Sequence, residues 1–135
     1  MEENFHAIYN GLKVFEFVPG RQGTGYEKLK LFSALFFDSY VLRFDEGSYI
    51  PEHVDIVDGF NHFRLNVILR NADEGGEFRC DNVLSIFGRV HLFRPDIEKH
   101  LVTEIHSGRR IVLSFGMAIP KVYNPLAAKE CSMKS

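Results

Sequence analysis

Apolar and polar residues alternate in short runs along most of this chain. The pattern begins at residues 13–18 (KVFEFV) and 26–32 (YEKLKLF). It returns at 40–45, 48–54, 63–69, 76–80, 84–93, 99–105 and 109–117. A period of two predicts strands, because successive strand side chains point to opposite faces of a sheet. Gly, Asp, Asn or Pro fills nearly every gap, and many short strands separated by turns predict an all-β sandwich or barrel. The segment PGRQGTG (19–25) joins the first two runs as a hairpin loop. Its glycines lack the Lys-Ser or Lys-Thr ending of a phosphate loop and link strand to strand, so it reads as a flexible turn, with closure over a site as the lesser role. Helix signals are few: residues 4–10, stopped by Gly11, and the tail NPLAAKECSMKS (124–135). The run SALFF (33–37) is too short for periodicity to arbitrate.

At 135 residues the chain predicts one domain with one core. Its apolar fraction is 45%, with thirteen Phe and no Trp, which indicates a packed globule rather than a disordered segment. A net charge of −2 and a pI near 6.3 make nucleic acid an unlikely partner and give no general pull toward anionic membranes. No apolar run approaches the ~20 residues that span a bilayer. Two distant cysteines, Cys80 and Cys131, and an acidic start without a leader pattern predict a reducing, cytoplasmic location.

His53 and Asp55 stand at i and i+2, so alternation aims both at one face. An imidazole nitrogen with a carboxylate oxygen begins a two-histidine, one-carboxylate facial triad, a donor set suited to Fe(II) with positions left open. The third ligand must come from His62, His91, His100 or His106. A hairpin turning at His106, Ser107 and Gly108 would set His100 opposite Ser114, with Arg110 four residues before Ser114 on the same face. That spacing, ~13 Å along the strand, accommodates a diacid that chelates the metal at one end and meets the Arg110 fork at the other. His106 falls in the turn, too near Arg110, so His100 is the choice. His62 and His91 are read as ordinary surface or core histidines.

These residues resemble the Fe(II)/2-oxoglutarate-dependent dioxygenases, in particular the prolyl-4-hydroxylase-like branch. The matching pattern is Phe44 and Gly47, then His53-Val54-Asp55, the apolar run 63–69, Gly75-Gly76-Glu77, the Gly88 to Phe93 segment, and finally His100, Val102, Gly108 and Arg110. It covers about residues 40–117, the expected catalytic core. The resemblance implies a double-stranded β-helix (jelly-roll) fold. It also implies iron on His53, Asp55 and His100, with Arg110 on the C5 carboxylate of 2-oxoglutarate. The implied reaction consumes O2, hydroxylates a peptide or small-molecule substrate and releases succinate and CO2.

The departures from the pattern matter too. Phe44 and Ile68 stand where tyrosine is common in the family, so a hydroxyl toward the cosubstrate is lost or supplied from elsewhere. Arg64 and Asn66 alternate with Phe63, Leu65, Val67 and Leu69. If the apolar face packs outward, Asn66 assists 2-oxoglutarate and Arg64 the substrate; solvent exposure of Arg64 is the other outcome. Relatives acting on nucleic acid carry a second arginine where this chain has Gly116. Asp55 is retained, unlike the small residue of halogenating relatives. The competing expectation is a cupin-like metal-dependent barrel that works without 2-oxoglutarate, although cupins usually carry H-x-H where this chain has H-x-D.

Overall fold

The computed structural model describes residues 16–121, all strand and turn with no helix among them. Strands β1 (Phe17–Pro19), β2 (Glu27–Ser33), β3 (Phe37–Phe44), β5 (Phe60–Arg70), β8 (Leu84–Ile86), β9 (Val90–Phe93) and β12 (Arg110–Pro120) form one sheet, ordered β1-β2-β3-β12-β5-β9-β8. A second sheet holds β4 (Ile50–His53), β10 (His100–Val102) and β7 (Phe78–Cys80). A two-stranded pair joins β11 (Ile105–Ser107) to β6 (Glu74–Gly75). Every pairing is antiparallel.

The core lies between the two larger sheets. Phe44, Ile68 and Val112 come from one side, Val102 from the other, and Tyr26 and Ile105 complete the cluster, with Ile50 and Phe78 packed against it. Alternation aims these residues inward, and fully burying a side chain such as Phe44 or Val112 contributes about 1.5–3 kcal/mol. Register then decides which residues share a row. Across β3, β12 and β5 the inward rows are Leu42, Val112 and Ile68; Tyr40, Ser114 and Asn66; and Asp38, Gly116 and Arg64. Arg110 sits opposite Phe44 at one end, and His62 opposite Ala118 at the other.

Three expectations need correction. Residues 84–93 form two strands, because Phe87 and Gly88 take φ values of 53° and 65° and reverse the chain, and the Arg89 amide closes on the Ile86 carbonyl at 3.1 Å. The run 99–105 breaks at Thr103 and Glu104 into β10 and β11. The hairpin between this run and 109–117 does not form. β10 lies between β4 and β7, whereas both edges of β12 are taken by β3 and β5 along long ladders. Gly108, at φ 84° and pressed against Asp73, carries the chain from one sheet system to the other. SALFF is resolved as a tight reversal between β2 and β3, with Ala34 N donating to Phe37 O at 2.8 Å. The helix expected at 4–10 and the short helix or frayed tail expected at 124–135 lie outside the described residues.

Candidate metal centre and cavity

His53 closes β4 and His100 opens β10, and the two residues are direct cross-strand partners with ring centroids 4.3 Å apart. Asp55 lies two residues past His53, where its amide donates to the Pro95 carbonyl at 2.6 Å and returns the carboxylate toward both rings. His53 Nε2 is 3.4 Å from Asp55 Oδ1, and His100 Nε2 is 3.5 Å from Oδ2. One ligand atom from each residue falls within 4.8 Å of the others.

Each histidine Nδ1 meets a carbonyl, Pro51 O at 2.7 Å for His53 and Glu98 O at 2.9 Å for His100. A carbonyl only accepts, so Nδ1 is the donor on both rings, which leaves Nε2, on the Asp55 side, as the nitrogen that can ligate a metal. Burial works to raise the Asp55 pKa, but the His100 and His53 rings and Arg21 outweigh it and hold the carboxyl below the usual carboxylate range. Two imidazole Nε2 atoms oriented by their Nδ1 contacts and one anionic oxygen fit a divalent transition metal.

The triad faces a cavity of about 280 Å³ between the sheets. Arg110 reaches it from the first residue of β12 and is only 3% exposed. Its Nη1 donates to the Gly76 carbonyl at 3.0 Å, its Nε has no partner, and no carboxylate among the described residues pairs with it. Burial pulls its pKa down to about 10, which still leaves it charged at neutral pH. Gly76 takes φ 67°, a left-handed conformation that favours glycine, and a Cβ there would meet Ile105 Cδ1 at 2.2 Å.

Arg64 and Asn66 both line the cavity. Arg64 Nη1 donates to Ser114 Oγ at 2.8 Å and Nη2 to Asp38 Oδ1 at 2.8 Å, while Ser114 Oγ donates to Asn66 Oδ1 at 2.6 Å. This bridge crosses β12 over Gly116, where a Cβ would lie 2.3 Å from Arg64 Nη2. Gly116 thus makes room for an arginine from the neighbouring strand. His62, read from sequence as an ordinary histidine, also lines the cavity. Its pKa is lowered by burial and then by Arg64, whose Nη2 lies 3.3 Å from His62 Nε2. His91 stays outside the cavity beside Phe78, and His106 is exposed near Glu104.

Sequence reading missed Asp38, Tyr40, Lys28 and Tyr26, which also line the cavity. Asp38 and Tyr40 were detectable in principle, since they precede Leu42 and Phe44 at even steps. Tyr26 stacks on Phe44 with centroids 5.4 Å apart and hydrogen-bonds Gln22 through its hydroxyl, so a phenol stands beside the phenylalanine that lacks one. The loop 19–25 contributes Arg21 and Gln22 to the cavity wall, and Arg21 lies 3.9 Å from Asp55.

No protein-family model and no curated protein matches this sequence. Solved structures do match. A Pseudomonas putida prolyl-4-hydroxylase aligns over 88% of this chain and 85% of its own, with a TM-score of 0.60 and 14% identity. KdgF from a Halomonas species aligns over 79% of this chain and 87% of its own, at 0.53 and 13%. The Rhodobacter sphaeroides complex of SigE with the anti-sigma ChrR aligns over 81% of this chain, at 0.50 and 20%, and this chain spans 54% of that one. The likeness is one of fold. The architecture is a double-stranded β-helix of the cupin, or jelly-roll, type, as the resemblance implied. That fold hosts more than one chemistry, so function has to be argued from the site. No helix among the described residues is long and apolar enough to cross a membrane.

Proposed function

We propose that this protein is an Fe(II)- and 2-oxoglutarate-dependent dioxygenase that hydroxylates a peptide side chain or a small amino-acid-like molecule. Arg110 carries this reading. A buried guanidinium without a counter-ion costs several kcal/mol unless an anion completes it, and this one opens on the same cavity as a metal-ligating triad. A diacid that spans the two resolves both features at once.

His53, Asp55 and His100 would hold the iron, which when bound supplies the oxygen chemistry that converts 2-oxoglutarate and O2 to succinate and CO2 with one oxygen passed to substrate. The protein's own residues bind and orient. Arg110 pairs with the C5 carboxylate through a charge-assisted fork. Asn66, anchored by Ser114, sits one row from Val112 and steadies the cosubstrate from the sheet side. Asp55 stays anionic, and the Nδ1 contacts of both histidines keep their Nε2 lone pairs aimed inward. Ile50, Phe93, Val102 and Val112 make the surrounding wall apolar and limit water. Cytoplasmic action, with O2 as the third reactant, is part of the same reading.

Anaerobic addition of 2-oxoglutarate to the Fe(II)-loaded protein tests it. The wild type is expected to develop the weak visible charge-transfer band of the chelate, His100→Ala to lose it and Arg110→Ala to need far more 2-oxoglutarate. Bound metal without a band sinks the oxygenase reading and favours a cupin-like metal-dependent barrel acting without this cosubstrate.

A further inference from the structure

The cavity is charged in a way that Arg110 and the triad do not explain. Four cations line it, Arg21, Lys28, Arg64 and Arg110, against two carboxylates, Asp38 and Asp55, on a chain whose net charge is −2. A divalent metal and a diacid cancel one another, so the excess of positive charge survives loading of the site proposed above. Asp38 neutralises Arg64, Asp55 faces Arg21 and Arg110 meets the diacid, which leaves Lys28 as the cation of the cavity wall with no carboxylate.

Lys28 extends from β2, opposite Leu42, and Nζ stands 5.1 Å from the centre of the Tyr40 ring. It is half-buried and has no ion pair among the described residues. Arg64 approaches the same ring at 5.8 Å. Tyr40 lies level with Ser114, four residues along β12 from Arg110, or ~13 Å. The Tyr40 ring that Lys28 covers thus stands two rows from Arg110, on the β3 side of β12, with Asn66 on the β5 side. Burial and then Asp38 raise the Tyr40 pKa, so its hydroxyl stays a neutral donor on the ring that the ammonium covers.

We infer that Lys28 and the Tyr40 hydroxyl form a substrate subsite that takes a carboxylate, so that the molecule hydroxylated here is a carboxylic acid. This rests on the reading of the Arg110 end as the cosubstrate site. One chemistry covers two sources, the main-chain carboxylate of a free amino acid and an acidic side chain of a peptide. The Arg64–Asp38 bridge acts as the floor of the subsite, with its orientation locked by Ser114 and by the absence of a Cβ at residue 116.

The test is isothermal titration of the full chain, loaded with Zn(II) and saturated with 2-oxoglutarate. The probes are free L-amino acids against their carboxamides, and a capped triglutamate peptide against capped triglutamine. At least one acid is expected to bind roughly 10- to 100-fold more tightly than its amide. Lys28→Met should erase that preference, and Lys28→Arg should keep most of it. Preference among the free amino acids identifies a small-molecule substrate, and preference for triglutamate alone identifies a peptide. Binding without preference, no binding by any probe, or a Lys28→Met effect confined to 2-oxoglutarate affinity overturns the inference. Failure of the cosubstrate reading looks different: 2-oxoglutarate does not bind, or binds independently of Arg110, while the Lys28-dependent preference persists.

Discussion

Replacing Arg110 with methionine offers the most direct reading of the unpaired charge. In the free protein the guanidinium is nearly fully buried, and burial pulls its pKa down to about 10. The folded pKa lies below the unfolded one, so the charged form is penalised throughout the pH range below 10, and the penalty fades only as pH rises beyond that toward the ordinary arginine value. At 1.36 kcal/mol per pH unit the penalty is about 3 kcal/mol at pH 7. Arg110→Met removes it and keeps most of the side-chain volume. It also strands the Gly76 carbonyl, which now accepts from Nη1 at 3.0 Å, at a cost of about 1–3 kcal/mol.

The ligand-free variant should therefore match the wild type or exceed it by up to about 2 kcal/mol, where loss of a paired buried arginine would cost about 3–5 kcal/mol. Urea denaturation at pH 7 measures this directly. With the metal present in every titration, adding 2-oxoglutarate should stabilise the wild type and leave the variant nearly unmoved. A variant destabilised by about 3 kcal/mol and still stabilised by 2-oxoglutarate would refute the reasoning.

Gly116→Ala should cost about 1–3 kcal/mol, because its methyl group displaces the Arg64–Asp38 bridge; pairing it with Arg64→Ala in a double-mutant cycle should recover part of that loss, and strict additivity would mean the bridge is not what the methyl meets. His62 titrates below its ordinary value through burial and Arg64, so the unfolded chain takes up its proton first and stability falls as pH drops below 6.5. His62→Gln should flatten the decline between pH 7 and pH 5 in urea titrations, and an unchanged slope contradicts the assignment. Phe87 is 97% exposed at φ 53°, so Phe87→Gly should raise stability by about 1 kcal/mol through relief of the left-handed backbone; a drop in melting temperature would indicate that the ring packs.

What could be read without coordinates was local. Alternation exposed the strands, and the i, i+2 spacing marked His53 with Asp55 and aligned Arg64 with Asn66. Such features depend on backbone geometry over a few residues, which the chain carries in its own order. Turn chemistry was also local, and Phe87-Gly88 was overlooked because an apolar run masked it. Partnership was not local. His100 does meet His53 and Asp55, but as the cross-strand neighbour of His53 and not through a hairpin with β12. Choosing between those pairings depends on which sheet edges are already occupied and which faces must be buried, a property of the whole chain. The same holds for His62, Asp38 and Lys28, whose shared cavity exists only once β2, β3, β5 and β12 are in register. Sequence determined which side chains could face inward together along one strand. Tertiary structure decided which strands lie side by side, because burial and ladder hydrogen bonds are satisfied between segments far apart in the chain.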